Sequence, residues 1–136
     1  MAAVHSKNTV ITVDSTDLSA YTTDSTFPKT TDTHDLTTYG NDSKVYGAGL
    51  NDATFTMSGV YDSTASTGPR AKLNTIYAGN AAVEIVRRIE GTGSGLPEDT
   101  FNAILTKYEE TDPVADYVMW SAEWQVSGDV DTTAQS

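Results

Sequence analysis

The chain has 136 residues, no cysteine, and 19 acidic against 8 basic residues, a formal net charge of −11. That length suits one domain with its own core, in which about two-thirds of the unfolded surface can be buried. Lack of cysteine excludes a disulfide frame, a Cys-based zinc site and a thiol nucleophile, and fits a reducing compartment; the excess of acid argues against a tight grip on nucleic acid.

The acids are spread evenly. Residues 1–62 hold eight Asp and three Lys, and the remainder eleven acids and five bases, so no basic stripe forms. The opening residues, MAAVHSKNTVITVDS, lack a sustained apolar run, and no signal peptide is expected. No run approaches the roughly 18–20 apolar residues that span a bilayer, so no membrane partner is expected. Abundant Thr favours strands, while Asp, Gly and Ser favour turns.

In chain order, the first strand is expected over Asn8–Asp14, with Asp17-Leu18-Ser19 a turn or a strand start. Residues 22–50 scatter Phe27, Leu36, Tyr39, Val45, Tyr46 and Leu50 among Thr, Asp and Gly, with strand character strongest over His34–Tyr39. A polar excursion of that length is uncommon in a compact domain unless it is functional or disordered. It reads as a floppy loop or as an arm that orders on a neighbouring subunit. The second strand spans residues 53–61, with Ala53, Phe55, Met57, Gly59 and Tyr61 on one face and Thr54, Thr56 and Ser58 on the other.

One helix is expected, roughly Gly68–Ala78. Pro69 suits the first helical position, Thr67 or Gly68 the cap and Gly79 the stop, with Leu73, Ile76 and Tyr77 forming an apolar stripe. The third strand is Ala81–Ile89, with Val83, Ile85 and Ile89 inward and Arg87 breaking that face. The fourth is Thr100–Tyr108. The fifth, Tyr117–Gly128, alternates most clearly: Val118, Trp120, Ala122, Trp124 and Val126 are apolar, and Ser121, Glu123 and Gln125 polar. The tail DVDTTAQS, residues 129–136, is expected to be flexible. This order predicts a single α+β, mainly β domain over residues 1–136: an antiparallel β-sandwich or flattened barrel with one short helix packed on it. Phe55, Leu73, Ile76, Trp120 and Trp124 are the expected core anchors.

Catalytic and metal-binding patterns are weak. The run Gly91–Gly95, GTGSG, lacks the Lys-Ser/Thr of a phosphate-binding loop and no helix pattern starts there, so it reads as a turn. His5 and His34 lie far apart. The carboxylates of Asp32-Thr33-His34-Asp35 and Asp129-Val130-Asp131 lack the spacing of an EF-hand loop. No serine has a nucleophile-elbow context. The chain reads as a non-enzyme, with no cofactor and no metal.

Three blocks carry a resemblance. Asp35–Asp62, DLTTYGNDSKVYGAGLNDATFTMSGVYD, runs from a Thr-Tyr-Gly turn to a strand ending Ser-Gly-x-Tyr-Asp. Gly68-Pro69 opens the short helix. Ile104–Val130, ILTKYEETDPVADYVMWSAEWQVSGDV, holds Tyr-Glu, Pro-Val-x-Asp and the Trp-rich strand. Together the blocks resemble the major tail protein, or tail tube protein, of long-tailed double-stranded DNA bacteriophages, a fold shared with tail terminators, baseplate-hub proteins and secretion-system tube proteins. The resemblance implies a structural virion protein of the tail, assembled in the host cytoplasm into hexameric rings. The rings stack into a tube that conducts the genome. Its partners would be further copies of itself and the tail-tip, terminator and tape-measure proteins, with viral DNA bound only transiently. An additional immunoglobulin-like domain, found in some relatives, is not expected.

On that basis Leu36, Tyr39, Lys44, Val45 and Tyr46 are the expected interface arm. Thr54, Thr56, Ser58, Ser121, Glu123 and Gln125 are candidates for the bore, where acids and hydroxyls would let DNA slide. The alternative is a capsid decoration protein, an adhesin or a carbohydrate-binding β-sandwich. Such modules present exposed aromatics on a rigid face, so tryptophan exposure separates the two readings. A small hydrolase would need a cleft with paired titratable groups, and none stands out.

Overall fold

The computed structural model describes residues 5–64 and 68–135. Nine regular elements matter here: β1 (Val10–Val13), β2 (Thr16–Asp17), β3 (Thr22–Thr26), β4 (Lys29–Asp35), β5 (Tyr46–Val60), α1 (Pro69–Gly79), β6 (Val83–Arg88), β7 (Asp99–Thr111) and β8 (Met119–Asp131). The strands run β2-β1-β6-β7-β8-β5-β3 in one antiparallel sheet, and β4 continues the line of β3 along the same edge of β5. The mainly β, single-helix architecture is the one the residue pattern predicts. The strands form one open, curled sheet rather than two packed sheets.

Alternation builds the core. Ile11 and Val13 of β1, Ile85 of β6, Phe101, Ala103 and Leu105 of β7, Trp120, Ala122, Trp124 and Val126 of β8, and Ala53, Phe55 and Met57 of β5 join one buried cluster. Trp120 and Trp124 are each 1% exposed. By area each contributes about 4–6 kcal/mol of transfer free energy. The Trp120 indole N–H donates to the Val60 carbonyl at 3.0 Å, which locks its ring against β5. Phe27, between β3 and β4, stacks on Phe101 at 4.7 Å and meets Phe55 edge-on at 5.9 Å.

The sheet's margins are brought together by a short crossing. Asp14 and Ser15, at φ of 47° and 67°, make the tight turn from β1 to β2. The chain then buries Leu18, whose N–H donates to Ile11 at 3.0 Å, and the Ser19 hydroxyl accepts the Ile11 N–H at 2.8 Å. Three residues later Thr22 pairs with Gly59 of β5. So residues 18–22 pass from the flank of β1 to the flank of β5, and the sheet curls over its apolar side.

Helix α1 covers that cluster with Leu73 and Ile76. Gly68 is its N-cap and Pro69 its first residue; Thr67, the other expected cap, lies outside the described residues. The stop is Asn80, left-handed at φ 51°, rather than Gly79; its N–H reaches the Ile76 carbonyl at 3.2 Å. Arg70 anchors the helix to β7 through both Glu110 carboxylate oxygens, at 2.6 and 2.8 Å. Tyr77, expected in the apolar stripe, is 60% exposed; Leu73 and Ile76 already fill the contact with the sheet.

Other boundaries shift for identifiable reasons. Residues 22–50 are not a loop: β3, β4 and the start of β5 lie there. Strand β4 ends at Asp35, close to where His34–Tyr39 was expected to begin it. Every residue of β4 is exposed, so the strand has no apolar face to announce it. Ile89, expected inward, lies beyond β6 and is exposed. Arg87 does sit on the inner side, half-buried, where Asp99 on the paired strand accepts from its guanidinium at 3.0 Å and the Phe27 ring lies 5.8 Å away. Asp129–Asp131, expected to begin a flexible tail, belong to β8.

Strands β4 and β8 end on the sequence device Asp-x-Thr, and β5 is followed by the same device two residues past its end. The Asp35, Asp62 and Asp131 carboxylates accept the backbone N–H of Thr37, Thr64 and Thr133 at 2.9, 2.7 and 3.0 Å, and the Thr64 and Thr133 hydroxyls donate to the same oxygens. Side-chain hydrogen bonds from these threonines, with the backbone ones second, hold all three carboxyls below the ordinary 3.8. A carboxyl depressed in the folded state adds stability above its unfolded pKa and loses it as pH falls through the folded one. The three turns are therefore expected to open only below about pH 4. Carbon-13 carboxyl titration should put their midpoints below 3.8; midpoints at or above that value would show that the turns are not formed in solution.

Candidate assembly surfaces

The most unusual feature is a β-hairpin that stands clear of the curled sheet. It consists of β4, residues 46–52 of β5 and the tip between them, residues 36–45. Its register runs from Lys29↔Ala53 to Asp35↔Tyr46, with a bulge between Thr31 and Thr33. Two glycines let its side chains lie flat. A Cβ on Gly47 would sit 2.8 Å from the Leu36 side chain, and one on Gly49 2.7 Å from the His34 ring. The tip is closed by Leu36 N–H to Val45 O at 2.7 Å and by Val45 N–H to the Thr37 hydroxyl at 2.8 Å.

All five residues expected to form the arm are on this hairpin and exposed: Leu36, Tyr39, Lys44, Val45 and Tyr46. Tyr39 is fully exposed, and Leu50, an apolar residue of this stretch left out of the expected arm, is 81% exposed. A two-stranded hairpin by itself is marginally stable in water. One that also displays two tyrosines, two leucines and a valine has an apolar surface available for a partner.

The second surface is the polar face of the sheet. Register places Thr54 opposite Gln125, Thr56 opposite Glu123 and Ser58 opposite Ser121. The six residues expected on a bore wall thus form three cross-strand pairs on one contiguous strip. On the other side of β8, Lys107 of β7 faces Glu123, and Glu109 faces Ser121. The Lys107 ammonium lies 3.2 Å from Glu109. That hydrogen bond, then the charges of Glu109 and Glu123, raises its pKa further above the ordinary lysine range. Lys107, Glu109 and Glu123 sum to −1, so the strip is mildly acidic and rich in hydroxyls.

Gln125 does more than line that strip. It is half-buried, and its amide donates to the Asp52 carboxylate at 2.7 Å and the Ala53 carbonyl at 3.1 Å. The β5–β8 ladder ends at this residue, while β8 continues along β7 to Asp131. Gln125 thereby terminates one ladder and leaves an open groove of about 920 Å³ between the root of the hairpin and the end of β8, bordered by Leu50, Asp52, Val126 and Val130.

Other sequence candidates have structural roles. The His5 ring accepts the Lys7 N–H at 3.1 Å, while His34 lies on the hairpin over Gly49. Among the described residues no group of three or more His, Asp or Glu is placed to hold a metal ion, and no helix is long and apolar enough to cross a membrane. With Trp120 and Trp124 in the core, they are unavailable as an exposed aromatic platform.

No family model and no curated protein matches the sequence. Solved structures do match, over nearly the whole chain. A chain from the virion of a native gene transfer agent particle superposes with a TM-score of 0.81 at 16% identity, covering 97% of this chain and 100% of that one. A chain from the tail of an empty gene transfer agent particle, of C6 symmetry, gives 0.78 at 18% identity, with the same coverage. The SPP1 tail tube gives 0.78 at 10% identity, covering 98% of this chain and 80% of that one. The chain has the tail tube fold. The neighbours are components of a virion, a tail and a tail tube. At these identities the shared property is the path of the backbone.

Proposed function

We propose that the chain is the repeating subunit of a phage-type tail tube, a structural virion protein that forms stacked rings through which a genome passes. The observation that carries this reading is the projecting hairpin on a tail tube fold. It exposes aromatic and aliphatic side chains that a monomer has no means to bury. Ring closure is a head-to-tail interface, in which the hairpin of one subunit lies on the next. The free edge of β4 and the groove beside Gln125 are unpaired in the monomer, and a closed ring covers such edges. The C6 symmetry of a neighbouring tail supports six subunits per ring.

In this reading the strip of Thr54, Thr56, Ser58, Ser121, Glu123 and Gln125 faces the bore. Hydroxyls and a mild excess of acid, with the strip's one lysine, Lys107, paired to Glu109, give DNA phosphates little to hold, so the duplex slides. Tail-tip, terminator and tape-measure proteins are the further partners, and assembly takes place in the host cytoplasm. The buried tryptophans remove the main support for a carbohydrate-binding or adhesin role.

Negative-stain microscopy of the purified chain at high concentration should show rings and hollow tubes. A chain that stays monomeric and is missing from tails would overturn the proposal, and single rings that never stack would point to a terminator or hub role. A reconstruction of the tube that puts Glu123 on the outer wall would overturn the bore assignment by itself.

A further inference from the structure

The glycine run that superficially resembles a phosphate-binding loop is already occupied by a side chain from the far end of the chain. Residues 91–97 connect β6 to β7. Gly91 and Gly95 adopt φ of 92° and 81°, values that strain other residues. Their conformations turn two amides and three carbonyls of the loop toward one residue, Gln135. The backbone of Gln135 donates its N–H to the Leu96 carbonyl at 2.9 Å and accepts the Gly95 N–H at 2.8 Å. Its side-chain oxygen accepts the Gly93 N–H at 3.1 Å, and its side-chain NH2 donates to the Gly91 carbonyl at 2.8 Å and the Pro97 carbonyl at 3.4 Å. Five hydrogen bonds thus read every polar group of one residue some forty positions away.

We propose that the 91–97 loop is a binding site for a glutamine residue, held through both its backbone and its side chain, with Gln135 its resident ligand. The chemistry is selective. A primary carboxamide both accepts from Gly93 and donates to two carbonyls. A glutamate carboxylate can accept but cannot donate, and would set a negative charge against the Gly91 and Pro97 oxygens. Asparagine, one methylene shorter, cannot reach all three groups while its backbone stays paired. The clasp fastens the segment after β8 to the β6–β7 connection, and so fixes a loop whose glycines would otherwise leave it mobile. It is independent of the tube reading, because it operates within one subunit.

Amide hydrogen exchange in the full-length chain tests it. In the unsubstituted protein Gly93 and Gly95 should be protected, and Gln135→Ala, which removes the acceptor of the Gly93 N–H, should speed Gly93 exchange roughly tenfold, the scale of losing a hydrogen bond. Gln135→Glu should be equally fast at pH 7 and should recover protection as pH falls through the glutamate pKa, when the side chain regains a donor; a purely spatial role of residue 135 would show no such pH dependence. Amides of Phe101, Leu105 and Trp124 should be unchanged in both variants, which shows that the core remains folded. Gly93 and Gly95 exchanging freely in the unsubstituted chain would overturn the proposal. So would Gly93 protection that survives Gln135→Ala, or full Gly93 protection in Gln135→Glu at pH 7.

Discussion

A chain carrying Tyr39→Asp, Val45→Asp and Tyr46→Asp is expected to fold as the unsubstituted protein does and to form no tubes. All three side chains are exposed and lie outside the buried cluster, so removing them takes nothing from the core. In the proposed ring they are the residues that become buried. Aromatic anchors at the centre of an interface are each worth about 2 kcal/mol or more. Losing the two tyrosines weakens each contact by roughly three orders of magnitude, before the loss of Val45 and the cost of burying three carboxylates are added. Every subunit repeats the defect, so assembly fails at all contacts together. Near-ultraviolet circular dichroism of Trp120 and Trp124 reports the fold, and negative-stain microscopy reports the tubes. Tubes at the unsubstituted yield would remove the hairpin from the interface. The milder Tyr39→Ala variant should raise the concentration needed for assembly and leave the tube's appearance intact.

Gly59→Ala is expected to be the most damaging single methyl group in the chain. Gly59 lies near the end of β5, paired with Thr22 on one side and Trp120 on the other. A Cβ there would fall 1.7 Å from the Tyr21 carbonyl oxygen and 2.8 Å from the Thr22 Cα. These are backbone atoms of the crossing that joins the two margins of the sheet, so no rotamer change relieves the clash. Overpacking a close-fitting interior costs about 1–3 kcal/mol, and more where the backbone must move. Against a total stability of about 5–15 kcal/mol, urea unfolding should show a midpoint lowered by a large fraction or no native baseline. Gly79→Ala is the internal contrast. That position is the last residue of α1 and has open space around it, so alanine there should be neutral or stabilise by up to about 1 kcal/mol. Similar midpoints for the two variants would mean that the crossing is not packed on β5 in solution.

The residue pattern was legible wherever one face of an element is buried. Val118 to Val126 alternate so regularly that their strand, its buried tryptophans and its polar face follow from period two, and the same holds for Ala53 to Met57. The pairing of Thr54, Thr56 and Ser58 with Gln125, Glu123 and Ser121 could not be read, because register belongs to two strands and neither contains it alone. Strand β4 was illegible for a different reason: both its faces are exposed, so Lys29 to Asp35 carry no apolar alternation and read as loop. The signal that could have found it is the run of β-branched threonines, a weak one. Gln135 gave no signal, since a glutamine in a polar tail is ordinary until the loop that clasps it is in place.

By itself, then, the sequence determined a mainly antiparallel β chain with one short helix, a tryptophan-centred core, and an acidic, cysteine-free surface without catalytic or metal-binding patterns. Those properties depend on local period and composition, which neighbouring residues decide among themselves. Only the tertiary structure decided that residues 22–50 include a standing hairpin, that six scattered polar residues form one strip, that Gly59 must stay bare, and that Gln135 fills a glycine loop. Each of these depends on backbone brought together from distant parts of the chain, and spacing along a single strand carries no record of which strand will lie beside it.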